Sequence, residues 1–498
     1  MRISAGRKIV FAAAVFAAAV LSGCARTHTI AIYSTANVQG HFYSRKDASF
    51  PGGEGGGFAV LSNLLRSDPL PRMLFMGGNW FYGTPEGTLT NGTSAIDLMN
   101  ALGYNAAAPG PDDFVLGSKT LTDTIARAKF PVVCSNMYDL KKSSHPDFCV
   151  PYIVTEVGGI KIGVIGLVSQ SMFKYMPHDK MPPLRIKSAV DEAKKAVDVL
   201  SHQNVKFIIA LSQLAEADDE RTLAVSVPSI SLILSGRPGT DQSRPVQVGG
   251  TYIIQSTPRL ASVARLELDI SAYSGRILRM RSSLLPLDKA KYGEDAAVLR
   301  KLGQISSSID SLLSRVAGRA TAPIPDTGWP DSPLGNWVAD CLRRWGHADI
   351  GMVPAGVFEG DIPEGPVTDR NLYSIYPADD SIMFAKLRGS DIRQVIEDSL
   401  SEHGQRIYIG GAQVIYNRNA KSVSVREVLI DGDKMADNKI YHLSVPDRMV
   451  GGAGGSSSLV HAMEFANTRE LVRTKIGWCM GRERSIHPPD TGRWVQQE

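Results

Sequence analysis

The strongest constraint on the fold is the way hydrophobic period changes along the chain. Through roughly the first 290 residues, short apolar runs of strand length alternate with segments whose apolar positions recur every three to four residues. Thr29–Ser34, Met73–Met76, Phe130–Ser135, Lys161–Leu167, Phe207–Leu211 and Leu232–Ser235 read as strands. Ala59–Arg66, Ser94–Leu102, Leu121–Ala128 and Ala189–His202 read as the helices between them. Such alternation predicts a layered α/β domain. Val263–Ile270 and Ile277–Leu285, joined through Tyr273-Ser274-Gly275, predict a closing hairpin. Residues 294–316 then place Ala297, Leu299, Leu302, Ile305, Ile309, Leu312, Leu313 and Val316 at helical spacing, which predicts a long amphipathic connector. A second α/β region follows, with strand-like Ile350–Val353, Ser381–Leu387, Val414–Tyr416 and Tyr441–Val445. At 498 residues the chain is too long for one ordinary core, so two domains are expected, 29–290 and 319–498, with residues 291–318 as the connector.

The N-terminus bears on location. Arg2, Arg7 and Lys8 precede the apolar run Ile9–Leu21, and Leu21-Ser22-Gly23-Cys24 follows. The run is too short to span a bilayer and reads as a secretory signal, residues 1–23. The cysteine after Leu-Ser-Gly resembles the bacterial lipobox. That resemblance implies a lipidated Cys24 at the mature N-terminus, a tether over residues 24–28, and a lipid bilayer as partner through acyl chains. The expected location is the bacterial cell envelope, and Ala25 after the cysteine leans towards the outer membrane. Loss of Arg2, Arg7 and Lys8 takes 54 basic residues to 51 against 50 acidic ones, a net +1. That balance gives no electrostatic case for a nucleic-acid polymer. Cys134, Cys149, Cys341 and Cys479 remain, and no two share a metal-ligand spacing. Three disulfide connectivities are possible; Cys134–Cys149 and Cys341–Cys479 are preferred because each stays within one proposed domain.

Several short segments occur in a telling order. Gly56-Gly57-Phe58-Ala59, Gly83-Thr84-Pro85, the stretch Asn91–Ala107, Phe130-Pro131-Val132 and Ser135-Asn136 precede the connector. Ser332-Pro333-Leu334-Gly335-Asn336 and Ala339-Asp340 follow it. Together these resemble the secreted 5′-nucleotidase / UDP-sugar hydrolase family over essentially the whole mature chain. The resemblance implies a four-layer metallophosphoesterase-like (α/β-β/α) N-terminal domain and a 5′-nucleotidase C-terminal domain.

A shared fold does not carry a shared activity. Two-metal phosphoester hydrolysis needs anionic and imidazole ligands, which the family supplies from five short motifs. Here the family's Asp-x-His is Asn37-Val38-Gln39, and its bridging Asp is Asn79. Its Gly-Asn-His-Glu is Gly110-Pro111-Asp112-Asp113, and its strand-end Ser-His is Ser212-Gln213. Its last motif reads Gly236-Arg237-Pro238-Gly239. Asn37, Gln39, Asn79, Pro111, Asp112, Gln213, Arg237 and Gly239 thus all depart from the pattern. The ten histidines sit singly, without His-x-His, Asp-x-His or His-Glu-x-x-His. The family's nucleotide clamp is altered too, with Phe358 in place of an Arg, Val450 in place of an aromatic, and Tyr408 left to offer a stacking face. The adjacent pair Asp112-Asp113 is read as structural, because neighbouring side chains point apart.

These replacements predict a non-catalytic lipoprotein with a metal-free polar cleft, no cofactor, and an unidentified protein or small-molecule ligand. Arg237 is expected near Asp112, its fixed charge standing in for the cations. One alternative is a divergent 5′-nucleotidase-like phosphoester hydrolase of nucleotide catabolism. Another is nucleotide or phosphate binding without hydrolysis.

Overall fold

The computed structural model describes residues 27–173, 182–237, 244–401, 406–418, 423–450, 459, 462–483 and 485–497. Cys24 and Gly239 lie outside them. The chain divides into two compact units, the first made of residues to 82, 86–172 and 182–305, the second mainly of 306–498.

The first unit holds two sheets. One has the strand order Ile277–Pro286, Ser262–Ser271, Thr27–Thr35, Arg72–Met76, Ala106–Ala107. The other runs Val246–Val248, Thr251–Gln255, Leu232–Ser235, Phe207–Gln213, Ile160–Val168, Tyr152–Val157. The sheets pack face to face through Ile30, Ile32, Met73 and Phe75 on one side and Val164, Ile209, Leu211 and Leu234 on the other, all buried. The second sheet's outer face is closed by Ala189–His202 and Ala217–Ser226, which bury Ala193, Leu200 and Leu223 against Ile165, Ile208 and Ile233. On the first sheet, Thr35 bonds Tyr104 and the Phe58 ring of helix Gly57–Ser67 packs on Tyr104 at 6.4 Å. The order is therefore α/β/β/α, which the 3.6-residue and near-continuous apolar patterns require once each face must be covered.

Local signals explain the element ends. Ser188 caps Ala189–His202 by accepting from Asp191 N at 3.3 Å, with Asp191 and Glu192 in the first turn. Thr93–Leu102 stops at Gly103, whose φ of 74° a side chain would disfavour.

Four expectations are corrected. Phe130–Ser135 forms only isolated bridges, Ala107↔Val132 and Val133↔Val150, because its backbone groups turn to different partners: Val133 N to Ala107, Cys134 N to Val150, Ser135 N to Gly166. The helix read at Leu121–Ala128 is Ser118–Ile125. The first strand, read as Thr29–Ser34, is Thr27–Thr35, since Thr27 and His28 already pair with Ser271 and Ile270. The connector is helix Ala296–Leu313, and the division between the units falls inside it, at 305/306. Asp295 anchors its start, accepting from Ala297 N at 2.8 Å and Ser62 Oγ at 2.7 Å.

In the second unit a five-stranded sheet is ordered Ile407–Gly410, Ile350–Pro354, Ile440–Pro446, Ser381–Arg388, Glu464–Leu471. Helices Pro333–Trp345 and Val472–Glu483 share one core with Val353 and Ile382. Helix Gly389–Leu400 shares another with Ile350, Leu443 and a smaller four-stranded sheet. Disulfides join Cys134 to Cys149 in the first unit and Cys341 to Cys479 in the second, with Cα separations of 5.9 and 6.0 Å.

Candidate functional site

Five of the altered motifs converge at one end of the first unit, where its parallel strands finish. Asn37 and Gln39 follow strand Thr27–Thr35, and Asn79 follows Arg72–Met76. Pro111 to Phe114 form a 3₁₀ turn just beyond Ala106–Ala107. Gln213 ends Phe207–Gln213, and Arg237 lies two residues past Leu232–Ser235. The carboxyl ends of such strands are where α/β folds place their sites.

The side chains there hold one another. Asp112 N–H donates to Asn79 Oδ1 at 3.0 Å, which settles the orientation of that amide, since a backbone N–H can only donate. Asn79 Nδ2 must then face Asn37 Oδ1, and does, at 2.9 Å. Asn37 Nδ2 in turn donates to Gly236 O at 2.9 Å. Gln39 Nε2 donates to Asp112 Oδ2 at 3.3 Å, and Gln213 Nε2 to Gly77 O. Asn37, Asn79 and Gln213 are 4, 6 and 5 % exposed, so these bonds form away from water. Asn37 and Asn79 each use both the donor and the acceptor end of the amide, a role no carboxylate can fill.

The backbone is bent to suit. Asn37, Gln39 and Asn79 have φ of 50°, 50° and 56°, a left-handed conformation that short polar side chains tolerate better than most. Asn37 N and Gln39 N bond Gly78 O and Asn79 O, both at 2.9 Å, so the two loops zip together. Gly78 lies against Gln213, where a Cβ would sit 2.6 Å from Nε2.

Asp113 is fully buried, and its carboxyl is held by backbone N–H groups. Its Oδ2 accepts from Asn79 N at 2.9 Å and Gly110 N at 2.8 Å, and its Oδ1 from Trp80 N at 2.7 Å. Burial pushes its carboxyl up to about 7, with the three backbone donors opposing the shift and Asp112 adding to it. Asp113 therefore ties two loops together, and the Asp112-Asp113 pair does not share a task.

Arg237 brings a carboxylate that the motifs did not point to. Its Nε lies 4.0 Å from Oε2 of Glu220, a side chain 2 % exposed on helix Ala217–Ser226. Glu220 Oε1 accepts from Ser212 Oγ at 2.8 Å, and burial raises its pKa, while hydrogen bonds from Ser235 and Ser212 and the Arg237 charge lower it. Arg237 thus has Glu220 as an ion-pair partner at the inner end of the site. In sequence Glu220 looks like part of the acidic first turn of an exposed helix, alongside Asp218 and Asp219, and only tertiary burial sets it apart.

In the second unit the clamp positions are also filled from within. Phe358 and Tyr408 stack on each other, centroids 5.9 Å apart and planes at 25°, with Tyr376 edge-on to Phe358 at 6.1 Å. Tyr408 is 1 % exposed and its hydroxyl donates to Asp326 at 2.9 Å. The expectation of a free stacking face at Tyr408 is therefore corrected: helix Pro333–Trp345 covers the ring so closely that only Gly335 fits against it. Val450 ends the short helix Asp447–Val450, half-buried against the Ile350–Leu443 core.

Residues 315–461 match the family model "5'-nucleotidase, C-terminal domain". The chain is a relative of the 5′-nucleotidases. It is 23% identical over 478 residues to a snake venom 5'-nucleotidase of Naja atra, covering 85% of this chain and 89% of that one. It is 22% identical over 396 residues to Endonuclease YhcR of Bacillus subtilis, covering 74% of this chain but only 32% of that one. In fold it superposes on a 5'-nucleotidase precursor from Thermus thermophilus with a TM-score of 0.77 at 21% identity, covering 94% of this chain and 99% of that structure. The two-domain arrangement, metallophosphoesterase-like then nucleotidase C-terminal, is thus the 5′-nucleotidase one.

The two-metal centre implied by 5′-nucleotidase kinship does not fit the donors present. Two divalent ions bring about four positive charges, and Arg237 adds another. Against them stand the partly buried Asp112, Asp113 saturated by backbone N–H groups, and Glu220, engaged by Ser212 and Arg237. Hard cations favour carboxylate oxygens supported by amides, whereas the Asn37 and Asn79 amide oxygens already accept from Asn79 Nδ2 and Asp112 N. Among the described residues no three His, Cys, Asp or Glu side chains converge on a point that a metal ion would occupy.

Proposed function

We propose that this 5′-nucleotidase relative is a non-catalytic, lipid-anchored protein of the bacterial cell envelope that works by binding a protein or small molecule. The observation that carries the reading is the Asp112–Asn79–Asn37–Gly236 hydrogen-bond chain, which runs through the positions where the family resemblance places metal ligands. Replacements that had merely drifted would leave buried polar atoms unpaired, at about 1–3 kcal/mol each. Here the Asn37, Asn79 and Gln39 side chains form a connected set with Asp112, while the buried Arg237 Nε makes no hydrogen bond among the described residues and has only its 4.0 Å contact with Glu220. The lipobox-like Leu21-Ser22-Gly23-Cys24 supports attachment to a bilayer, and the mutual stacking of Phe358 and Tyr408 supports loss of nucleotide clamping. Elemental analysis of the purified protein, together with a phosphatase assay supplemented with manganese or zinc, tests the reading. Sub-stoichiometric metal and background turnover are expected. Stoichiometric metal with turnover abolished by Asp112→Ala would overturn it.

A further inference from the structure

We propose that the first unit rests on the bilayer with the edge where its strands begin, and that this edge binds anionic phospholipid headgroups. The inference depends on lipid attachment at Cys24 as proposed above, and adds which surface meets the lipid.

The length of chain before the first described residue sets the geometry. Two residues, Ala25 and Arg26, separate Cys24 from Thr27, so the Cα–Cα span is three steps, at most about 11 Å. Thr27 is already locked in the sheet, paired with Ser271. The headgroup layer of one leaflet is about 5–7 Å thick, so little slack remains between the bilayer and this edge. The edge comprises the hairpin turn between Ser271 and Ile277, the start of Phe207–Gln213, and the Gly158-Gly159 turn, which accepts a hydrogen bond from the His28 ring. The Asn37–Asp112 cleft lies at the far end of strand Thr27–Thr35, roughly 30 Å away at about 3.3 Å per residue. It therefore lies at the end of the first unit remote from the membrane.

The chemistry of the edge fits that partner. Tyr273 and Leu278 are 72 and 62 % exposed, an amphipathic aromatic beside an aliphatic side chain. Lys206 donates to Tyr273 O and sits 4.8 Å over the Tyr273 ring, so the cation and the aromatic face solvent together. Gly275, at φ 68°, lets the turn close on Lys206, where a Cβ would meet Lys206 Cβ at 2.6 Å. Arg276 and Lys161 are exposed nearby, and of the acidic side chains Glu156 stands opposite Lys161. Among the described residues neither Lys206 nor Arg276 is paired with a carboxylate. A groove of about 880 Å³, lined in part by Lys206, Arg276, Ser229, Ser231, Tyr252 and Leu278, opens beside them with room for a headgroup. Each basic residue close to an anionic surface strengthens attachment roughly fivefold.

The test uses the full-length acylated protein in vesicles containing phosphatidylglycerol, with a fluorophore on Ser274→Cys in the turn or on Asp218→Cys at the opposite edge. A nitroxide on the lipid headgroups should quench the Ser274→Cys reporter several-fold more than the Asp218→Cys reporter. Lys206→Gln with Arg276→Gln should reduce that quenching in anionic but not in zwitterionic vesicles. Equal or reversed quenching in protein whose mass shows acylated Cys24 overturns the edge assignment alone, as expected if Tyr273 and Leu278 serve a protein partner. A mature mass without acyl chains overturns the anchor, and the edge assignment with it.

Discussion

Asn79→Asp is the most informative single perturbation of the cleft, because it restores a family residue with almost no change of shape. Asn79 Nδ2 donates to Asn37 Oδ1 at 2.9 Å, so the substitution sets two oxygens face to face in a site 6 % exposed. A protonated carboxyl can repair this, its O–H donating to Asn37 while its carbonyl keeps the Asp112 N–H. At about pH 4.5 the variant should therefore lie within about 1 kcal/mol of the parent. Burial and the opposing oxygen raise the native pKa of the new carboxyl above its unfolded value. The native state then binds more protons, and stability relative to the parent is present below the unfolded pKa and falls as pH rises. The slope is about 1.4 kcal/mol per pH unit until the native pKa is passed. By about pH 7.5 the deficit should reach about 3 kcal/mol, a drop of roughly 6–12 °C in Tm for a unit of this size. Calorimetric melts at both pH values, with chelator or with excess manganese, read the effect. A pH-independent difference would refute the hydrogen-bond account. A manganese-induced rise in Tm of several degrees, specific to the variant, would refute the conclusion that the donors do not fit a metal.

Three further outcomes are expected. Asp113 keeps its proton to about pH 7 in the native state but loses it near 3.8 when unfolded, so its contribution weakens by about 2–4 kcal/mol as pH rises through that window; urea titrations of the parent and Asp113→Asn should differ in slope there. Replacing both cysteines by serine should cost about 3 kcal/mol for Cys134–Cys149 and about 5 kcal/mol for Cys341–Cys479, because the bridged separations are 15 and 138 residues, as denaturation of each unit would report. Phe358→Ala should destabilise the second unit by about 3–4 kcal/mol by opening a cavity beside Tyr408 and Tyr376, visible in near-ultraviolet dichroism melts.

Hydrophobic period alone made most of the layer order legible. The bounds of Ala189–His202 can be read from Ser188, Asp191 and the apolar stripe, and the hairpin from its turn. Both depend on neighbours a few residues apart, where backbone geometry translates spacing directly into a face. The Phe130–Ser135 segment misled because β-rich composition cannot reveal that its backbone is divided among several partners. The motifs place Asn37 and Gln213 at strand ends in the sequence itself, whereas the strand-end positions of Asn79, Asp112 and Arg237 emerge from the fold.

What the amino-acid order determined by itself was thus the fold and the absence of the family's ligand types from registered positions. Only the tertiary structure decided what stands there instead. Asn37 and Gly236 are 199 residues apart, yet their contact turns isolated substitutions into a connected amide set. Glu220, which no motif marks, lies 4.0 Å from Arg237, and Tyr408 is sealed by a helix rather than offered to a ligand. A residue's type states which bonds it can make; long-range packing determines which partner reaches it and whether water competes.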